Sequence, residues 1–353
     1  MVSEPAVFIV VLNWNGLADT LECVRSLDAL TYSKRTVVVV DNGSANAEAD
    51  RLEAAVPGLT VLRSGENRGY AGGNNLGIRY ALERGADYIW LLNNDTVVSP
   101  ECVAELVAAG EHDPQVGILS PVVYEYGSEE RVQFSGTVLD RAREEQHTLR
   151  SLSALEAATA QGPVLLWGTA LFLKRRTAET VGLLDERYFA YHEDVDYCLR
   201  VLAAGLRTQV VPSARVSHKS GRSLGSERSP VREYLMVRNW YLLWRTHLSG
   251  WQRRTYPRRY LAWALNRVLN AQRDGDAVLA QHALDGIWDG LRGRWGPWLG
   301  KGRMPTALRR FVTRGLLAWH PYFWLLLLSG NAGMGRTVAK RFGWRRASPD
   351  ETP

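Results

Sequence analysis

A few short segments carry the residue types that group-transfer chemistry requires. Residues 91–96, Leu-Leu-Asn-Asn-Asp-Thr, run an apolar stretch into Asn93, Asn94 and Asp95. A carboxylate at a strand end can hold a divalent cation, because Mg2+ and Mn2+ take oxygen ligands and keep positions open for substrate phosphates. The same residues also suit a plain turn. Residues 41–44, Asp-Asn-Gly-Ser, place Asp41 where it could accept from a nucleobase N–H or merely cap the next helix. Residues 66–77, Glu-Asn-Arg-Gly-Tyr-Ala-Gly-Gly-Asn-Asn-Leu-Gly, read as a glycine-rich turn running into a helix, with Asn67 and Arg68 at its start. Glycine lets backbone approach a ligand, and a helix N-terminus attracts phosphate.

Residues 188–200 set Glu193, Asp194 and Asp196 near the start of a helix. Acidic groups there complement the helix dipole. Three of them so close repel one another, and a general base among them would give the cluster a reason. His218 follows a strand; a lone histidine is ordinarily a packed or surface residue and gains meaning only from its neighbours.

The surrounding pattern supplies elements to hold these segments. Apolar runs at 6–12, 36–40, 59–63 and 88–92 alternate with helical spacing at 17–30, 46–56, 74–84 and 100–111. That alternation predicts an α/β domain with a mostly parallel sheet, whose ligand-binding residues gather at the carboxyl ends of the strands. Residues 116–139 read as short strands and turns, and 144–161 as a polar surface excursion. Further strands are expected at 164–174 and 208–212, a short helix at 177–181, and a helix over 193–204 stopped by Gly205. The expected catalytic domain is 1–229. From 230 the composition turns to Arg, Trp, Tyr and Leu, giving a basic helical C-terminal region over 230–353.

Composition narrows the classes. A 353-residue chain that is 46% hydrophobic and 23% charged is neither disordered, collagen-like nor a polytopic membrane protein. The net charge of +6, with its excess after Ser229, calls for an anionic partner. No zinc finger, helix-turn-helix or basic zipper is present, so no nucleic acid is expected; the Trp-rich content suits a membrane surface. The apolar stretch 315–330 is shorter than the roughly 20 residues of a spanning helix and reads as interfacial or packed against protein, including a second copy in a homodimer. Cys23, Cys102 and Cys198 are scattered without pairs, and no secretory leader is visible, so a reducing, cytoplasmic location on the inner face of the membrane is expected.

Taken in order, residues 10–16 (Val-Val-Leu-Asn-Trp-Asn-Gly), 40–44, 66–77, 91–96 and 188–200 resemble the inverting family 2 glycosyltransferases, in particular the bacterial rhamnosyltransferase-like members. The resemblance implies a glycosyltransferase-A fold and transfer of a sugar from a nucleotide-diphosphate donor, dTDP- or UDP-linked, to a saccharide or lipid-linked acceptor. It makes Asp41, with Asn13, Asn15, Asn67, Arg68, Gly72, Asn74, Asn93 and Asn94, the donor-binding set. Asp95 and His218 become ligands of a Mg2+ or Mn2+ ion, Asp194 the catalytic base with Glu193 beside it, and Asp196, Trp167 and Gly168 the acceptor side. The first acid of the usual D-x-D motif is Asn93 here, which lowers the negative charge of the expected metal site. Rhamnose from dTDP is the first donor by resemblance, ahead of galactofuranose, glucose or N-acetylhexosamine from UDP. A sugar nucleotidyltransferase is the rival enzyme, but it would need a basic, Gly-rich loop straight after the first strand, where Asn13-Trp-Asn-Gly16 stands. A non-catalytic nucleotide-binding scaffold docked on a membrane would tolerate loss of the acidic cluster that this chain retains.

Overall fold

The computed structural model describes residues 4–128, 130–140, 145–219, 229–300, 302, 304–310 and 312. Its first half alternates strand and helix: β1 (Val7–Asn13), α1 (Leu17–Asp28), β2 (Arg35–Asp41), α2 (Glu48–Ala55), β3 (Thr60–Arg63), α3 (Gly69–Glu83) and β4 (Tyr88–Asn93). The four strands are parallel, and helices cover both faces, which is why β1 and β4 are apolar at nearly every position and buried at all but Leu12 and Asn93. The register aligns Asn13 with Asp41 and Leu12 with Asn93, so the carboxyl ends of β1, β2 and β4 lie level along one edge.

The next stretch holds β5 (Thr96–Val98), α4 (Cys102–His112), β6 (Val116–Glu125), β7 (Val132–Phe134), β8 (Thr137–Asp140), β9 (Glu145–Thr148), α5 (Leu152–Thr159), β10 (Ala170–Lys174), α6 (Arg175–Val181), α7 (Glu193–Ala203) and β11 (Arg207–His218). The sheet runs β3-β2-β1-β4-β10-β6-β11-β5, with β7 on β6 and β8 paired with β9 apart from it. β10 enters antiparallel to both neighbours, while β11 runs parallel to β6. Val7, Ile9, Val11, Trp90, Leu92 and Phe172 form the heart of the core against α1 and α4.

Several boundaries differ from the sequence reading. Residues 116–125 form one buried ten-residue strand; Pro121, which suggests a turn, is tolerated because β11 bulges opposite it, between Val211 and Arg215. Beyond that bulge β11 continues to His218 instead of ending at Pro212. The strand expected at 164–174 starts only at Ala170, Leu165 meeting Thr137 in an isolated bridge. The polar excursion contains β9 and α5, the latter capped by Ser151, whose Oγ accepts from Ala154 N at 3.1 Å.

The chain divides into two compact units: one of described residues within 4–140, 145–229 and 295–297, the other of 230–294 and the described residues from 298. The second unit is helical: α8 (Pro230–His247), α9 (Gly250–Arg273), α10 (Ala277–Leu291) and α11 (Thr306–Arg310). Gly286 lets α10 lie close on α8, since an added Cβ would stand 2.6 Å from Tyr234 O. Tyr256 and Tyr260 tie α9 to α8 by donating to Trp240 O at 3.0 Å and Val237 O at 3.1 Å. No helix among the described residues is long and apolar enough to cross a membrane. The apolar stretch 315–330 lies outside the described residues.

Candidate functional site

A buried chain of hydrogen bonds joins the strand ends. Asn94 Nδ2 donates to Thr20 Oγ1 at 2.9 Å, and Thr20 Oγ1 donates to Asn13 Oδ1 at 2.7 Å. Asn13 Nδ2 in turn faces Asp41 Oδ1 at 3.2 Å, Ser44 Oγ at 3.1 Å and Glu48 Oε2 at 3.0 Å. Three of the sequence blocks are thereby locked together through α1. Asn13 departs from its expected role as a direct donor contact: it is buried and both ends of its amide are bonded inside the protein, so it holds Asp41 in place, while the amide nitrogen of the buried Asn94 is held by Thr20. Asn15, exposed and at φ 52°, pins the loop after β1 to the loop after β2, its Oδ1 accepting from Ala45 N at 2.8 Å.

The glycine-rich block is helix, not loop. α3 begins at Gly69, five residues before the sequence pattern suggests, because its glycines serve packing: a Cβ on Gly73 would lie 2.5 Å from Leu12 Cδ1 and one on Gly77 2.2 Å from Val10 Cγ1. Gly69 takes φ +69°, and a Cβ there would meet Phe189 O at 2.2 Å. Gly72 faces Arg68, whose Cβ would stand 2.7 Å from an added Cβ. Asn42 clamps the start of α3, donating to Gly69 O at 3.0 Å and Asn67 Oδ1 at 3.2 Å and accepting from Arg68 N at 3.1 Å. The Arg68 side chain stands at the surface, 3.9 Å from Glu66. Asn74 is buried, its Nδ2 on Tyr70 O and its Oδ1 unpartnered.

On the other side of β4, the pairing of β11 with β5 sets His218 opposite Thr96 and so beside Asp95. His218 Nε2 lies 3.1 Å from Asp95 Oδ1, yet not in hydrogen-bonding alignment, and Asp95 Oδ1 is buried without a hydrogen-bond partner. His218 Nδ1 faces Gln133 Oε1 at 2.7 Å, so in the neutral ring Nδ1 carries the proton and Nε2 turns a lone pair toward the carboxylate. A lone pair and an orphaned carboxylate oxygen converging in this way fit a shared cation. The described residues hold no group of three or more His, Cys, Asp or Glu side chains suited to a metal. Lys219 anchors this strand end to α1, donating to Asp19 at 2.6 Å and Glu22 at 2.7 Å.

The acidic block forms the first turn of α7, entered through positive φ at Phe189, Tyr191 and His192. Asp194 is half-buried, with Oδ2 accepting from Gly168 N at 2.9 Å and Oδ1 from Val195 N at 2.7 Å. Burial raises its carboxyl above the usual range, and these N–H bonds oppose the rise. Glu193 is buried with Oε2 unpartnered, and burial, then the neighbouring Asp194 charge, push it well up. Tyr70 of α3 donates to Gly168 O, so Gly168 is held between α3 and the acidic turn. Thr169 O accepts from Asn93 N at 2.9 Å, which sets this segment at the end of β4. Trp167 stacks on Phe134 at 3.9 Å and donates to Thr137 Oγ1 at 3.1 Å. Asp196 corrects the expectation of an acceptor contact: it turns inward and is consumed by Arg200 Nε at 2.8 Å and Tyr188 Oη at 3.4 Å. Thr20, Asn42, Glu48 and Tyr70 escape a sequence reading, since their partners lie on other elements; Asn75, which pins Leu184 and Glu186 to α3, was visible only as another amide in the glycine-rich block.

The α/β sheet thus brings amides and carboxylates to one edge, with the Asp95–His218 pair at its margin and the acidic start of α7 beside it. The chain matches the family described as Glycosyl transferase family 2 over residues 7–163 and Glycosyl transferase family group 2 over residues 88–339, and it belongs to this glycosyltransferase family. Among its relatives is the dTDP-rhamnosyl transferase RfbF of Shigella flexneri, 27% identical over 246 residues that span 68% of this chain and 80% of the relative. The N-acetylglucosaminyl-diphospho-decaprenol L-rhamnosyltransferase of Mycobacterium tuberculosis is 27% identical across 65% of this chain and 81% of its own length. The galactofuranosyltransferase GlfT1 of Mycolicibacterium smegmatis is 30% identical across 56% of this chain and 66% of its own. Two solved structures share the fold, which is glycosyltransferase-A-like. The mannosyltransferase PcManGT from Pyrobaculum calidifontis, in complex with GDP-Man and Mn2+, has a TM-score of 0.52 at 16% identity, covering 98% of this chain and 89% of that one. GalNAc-T7 with UDP, GalNAc and Mn2+ has a TM-score of 0.56 at 15% identity, covering 83% of this chain and 57% of that one.

Proposed function

We propose that this glycosyltransferase moves rhamnose from dTDP-rhamnose to a hydroxyl of a lipid-linked saccharide, with inversion at the anomeric carbon. The observation that carries the reading is Asp194: a half-buried carboxylate with raised pKa, both oxygens oriented by backbone N–H groups, one of them from Gly168 in the segment bonded to the end of β4. The donor and acceptor rest on what the two rhamnosyltransferase relatives are described as using.

In this mechanism the acceptor hydroxyl attacks the anomeric carbon as Asp194 takes its proton. The new C–O bond forms on the face opposite the breaking bond to the diphosphate, and the nucleoside diphosphate leaves with the electron pair. Asp41 holds the base, with Asn13, itself held by Glu48, fixing its position. Asp95 and His218 are the residues that would hold a divalent ion, which when bound would offset the charge growing on the departing diphosphate. Trp167 borders the acceptor side.

The test is a donor screen with dTDP-rhamnose, UDP-galactofuranose, UDP-glucose and UDP-N-acetylglucosamine, with Mg2+ or Mn2+ present. Turnover fastest with dTDP-rhamnose is expected. A clear preference for a UDP-sugar would replace the donor, and sugar nucleotide made from a nucleoside triphosphate and a sugar phosphate would mean nucleotidyl transfer.

A further inference from the structure

We infer that the start of α9 is a docking face for an anionic lipid bilayer. Residues 234–273 contain eight arginines and not one Asp or Glu. Along α9, Tyr256 and Tyr260 are buried and bond α8, while Trp251, Arg254 and Arg258, spaced i, i+3 and i+7, share the opposite side and are exposed. Trp251 is 75% exposed, the most exposed of the large apolar side chains among the described residues. Arg253 beside it is exposed too.

Gly290, in the last turn of α10, sits level with Tyr260, where an added Cβ would stand 3.5 Å from its hydroxyl. The side of α9 that carries Trp251, Arg254 and Arg258 is thus turned away from the tyrosines that bond α8. Exposing an indole there loses the burial that a core would give it, and the lost stabilisation is recovered where the ring can enter a lipid interface. Tryptophan favours that interface because its apolar ring and its N–H meet different surroundings there. Arginines flanking it, unopposed by nearby acidic residues in sequence, match the negative potential of anionic headgroups. A nucleic acid would use the charge but has no need of one protruding indole at the tip of a helix. The charge pattern and the exposed ring carry the inference without the proposed donor or acceptor.

Flotation of the full chain with vesicles tests it, with no sugar nucleotide present, so that its outcome is independent of the catalytic reading. Vesicles of phosphatidylcholine with about one-third phosphatidylglycerol are compared with phosphatidylcholine alone. Binding is expected to the anionic vesicles only and to fall as salt is raised. The variant R253E/R254E/R258E is expected to bind about a hundredfold more weakly, following the worth of a basic residue near such a surface, and Trp251→Ala about tenfold more weakly, from loss of the buried ring. Circular dichroism and urea midpoints equal to those of the unaltered chain exclude unfolding as the cause. The inference is overturned if the unaltered chain does not float, if both variants float like it, or if the charge-reversed variant loses binding to single-stranded RNA while vesicle binding is unchanged.

Discussion

Replacing Thr20 by valine isolates the hydrogen-bond chain that joins the strand ends. Valine keeps the shape of threonine, so the change removes one hydroxyl and little volume. In the native chain that hydroxyl donates to Asn13 Oδ1 at 2.7 Å and accepts from Asn94 Nδ2 at 2.9 Å, and all three side chains are buried. After the change Asn13 Oδ1 has no donor, and Asn94 Nδ2 keeps only Gly16 O at 3.4 Å, too long to replace it. A buried polar group left unmet costs roughly 1–3 kcal/mol, so two of them cost about 2–6 kcal/mol of folding stability. Asn13, no longer held at its oxygen, can turn away from Asp41 and Glu48, and the donor KM should rise several-fold with kcat little changed. Urea unfolding at fixed pH measures the first effect and steady-state kinetics the second. A stability loss under about 0.5 kcal/mol, or a fall in kcat at constant KM, would refute the reasoning, since the first lies inside the range of neutral surface changes.

Other expectations follow from single contacts. Gly77→Ala should cost about 1–3 kcal/mol by thermal unfolding, because its Cβ would press into Val10 and force α3 off β1. Glu193→Gln should change the pH dependence of stability. The native carboxyl sits well above its unfolded value of about 4.3, so the folded chain keeps a proton that the unfolded chain releases, and stability falls as pH rises upward from there. The glutamine variant lacks that slope, so its stability relative to the native chain should grow from pH 5 to pH 8 in urea titrations; parallel curves would be the contrary result. Asp95→Ala should weaken dTDP-sugar binding in the presence of Mn2+ more than His218→Ala, and neither should matter with chelator present, as titration calorimetry would read.

The parallel half of the fold was legible because β1, β2 and β4 are continuous apolar runs ended by Asn and Asp. Elsewhere tertiary contact decided. The glycines of α3 read as loop because glycine weakens a helix, yet they permit its close approach to Val10 and Leu12. The strand expected at 208–212 stopped at Pro212, whereas the bulge between Val211 and Arg215 carries β11 on to His218. In the site, Asp95, Asp194 and Asp41 stood out as acids in motif blocks. Thr20 and Tyr70 did not, since a hydroxyl on a helix face has no local signature and acquires its role only when another element brings Asn13 or Gly168 against it. Asp196 misled for the opposite reason: its spacing matched the acidic cluster, but its side chain faces Arg200.

Whether Asp194 acts as the base is read from single-turnover transfer by Asp194→Asn with dTDP-rhamnose, alongside donor affinity by calorimetry. The rate is expected to fall by about 10²–10⁴ with donor affinity within a few-fold of the unaltered chain, because the carboxylate serves the acceptor proton and not the nucleotide. Near-normal turnover, or a rate loss matched by an equal loss of donor binding, would contradict it.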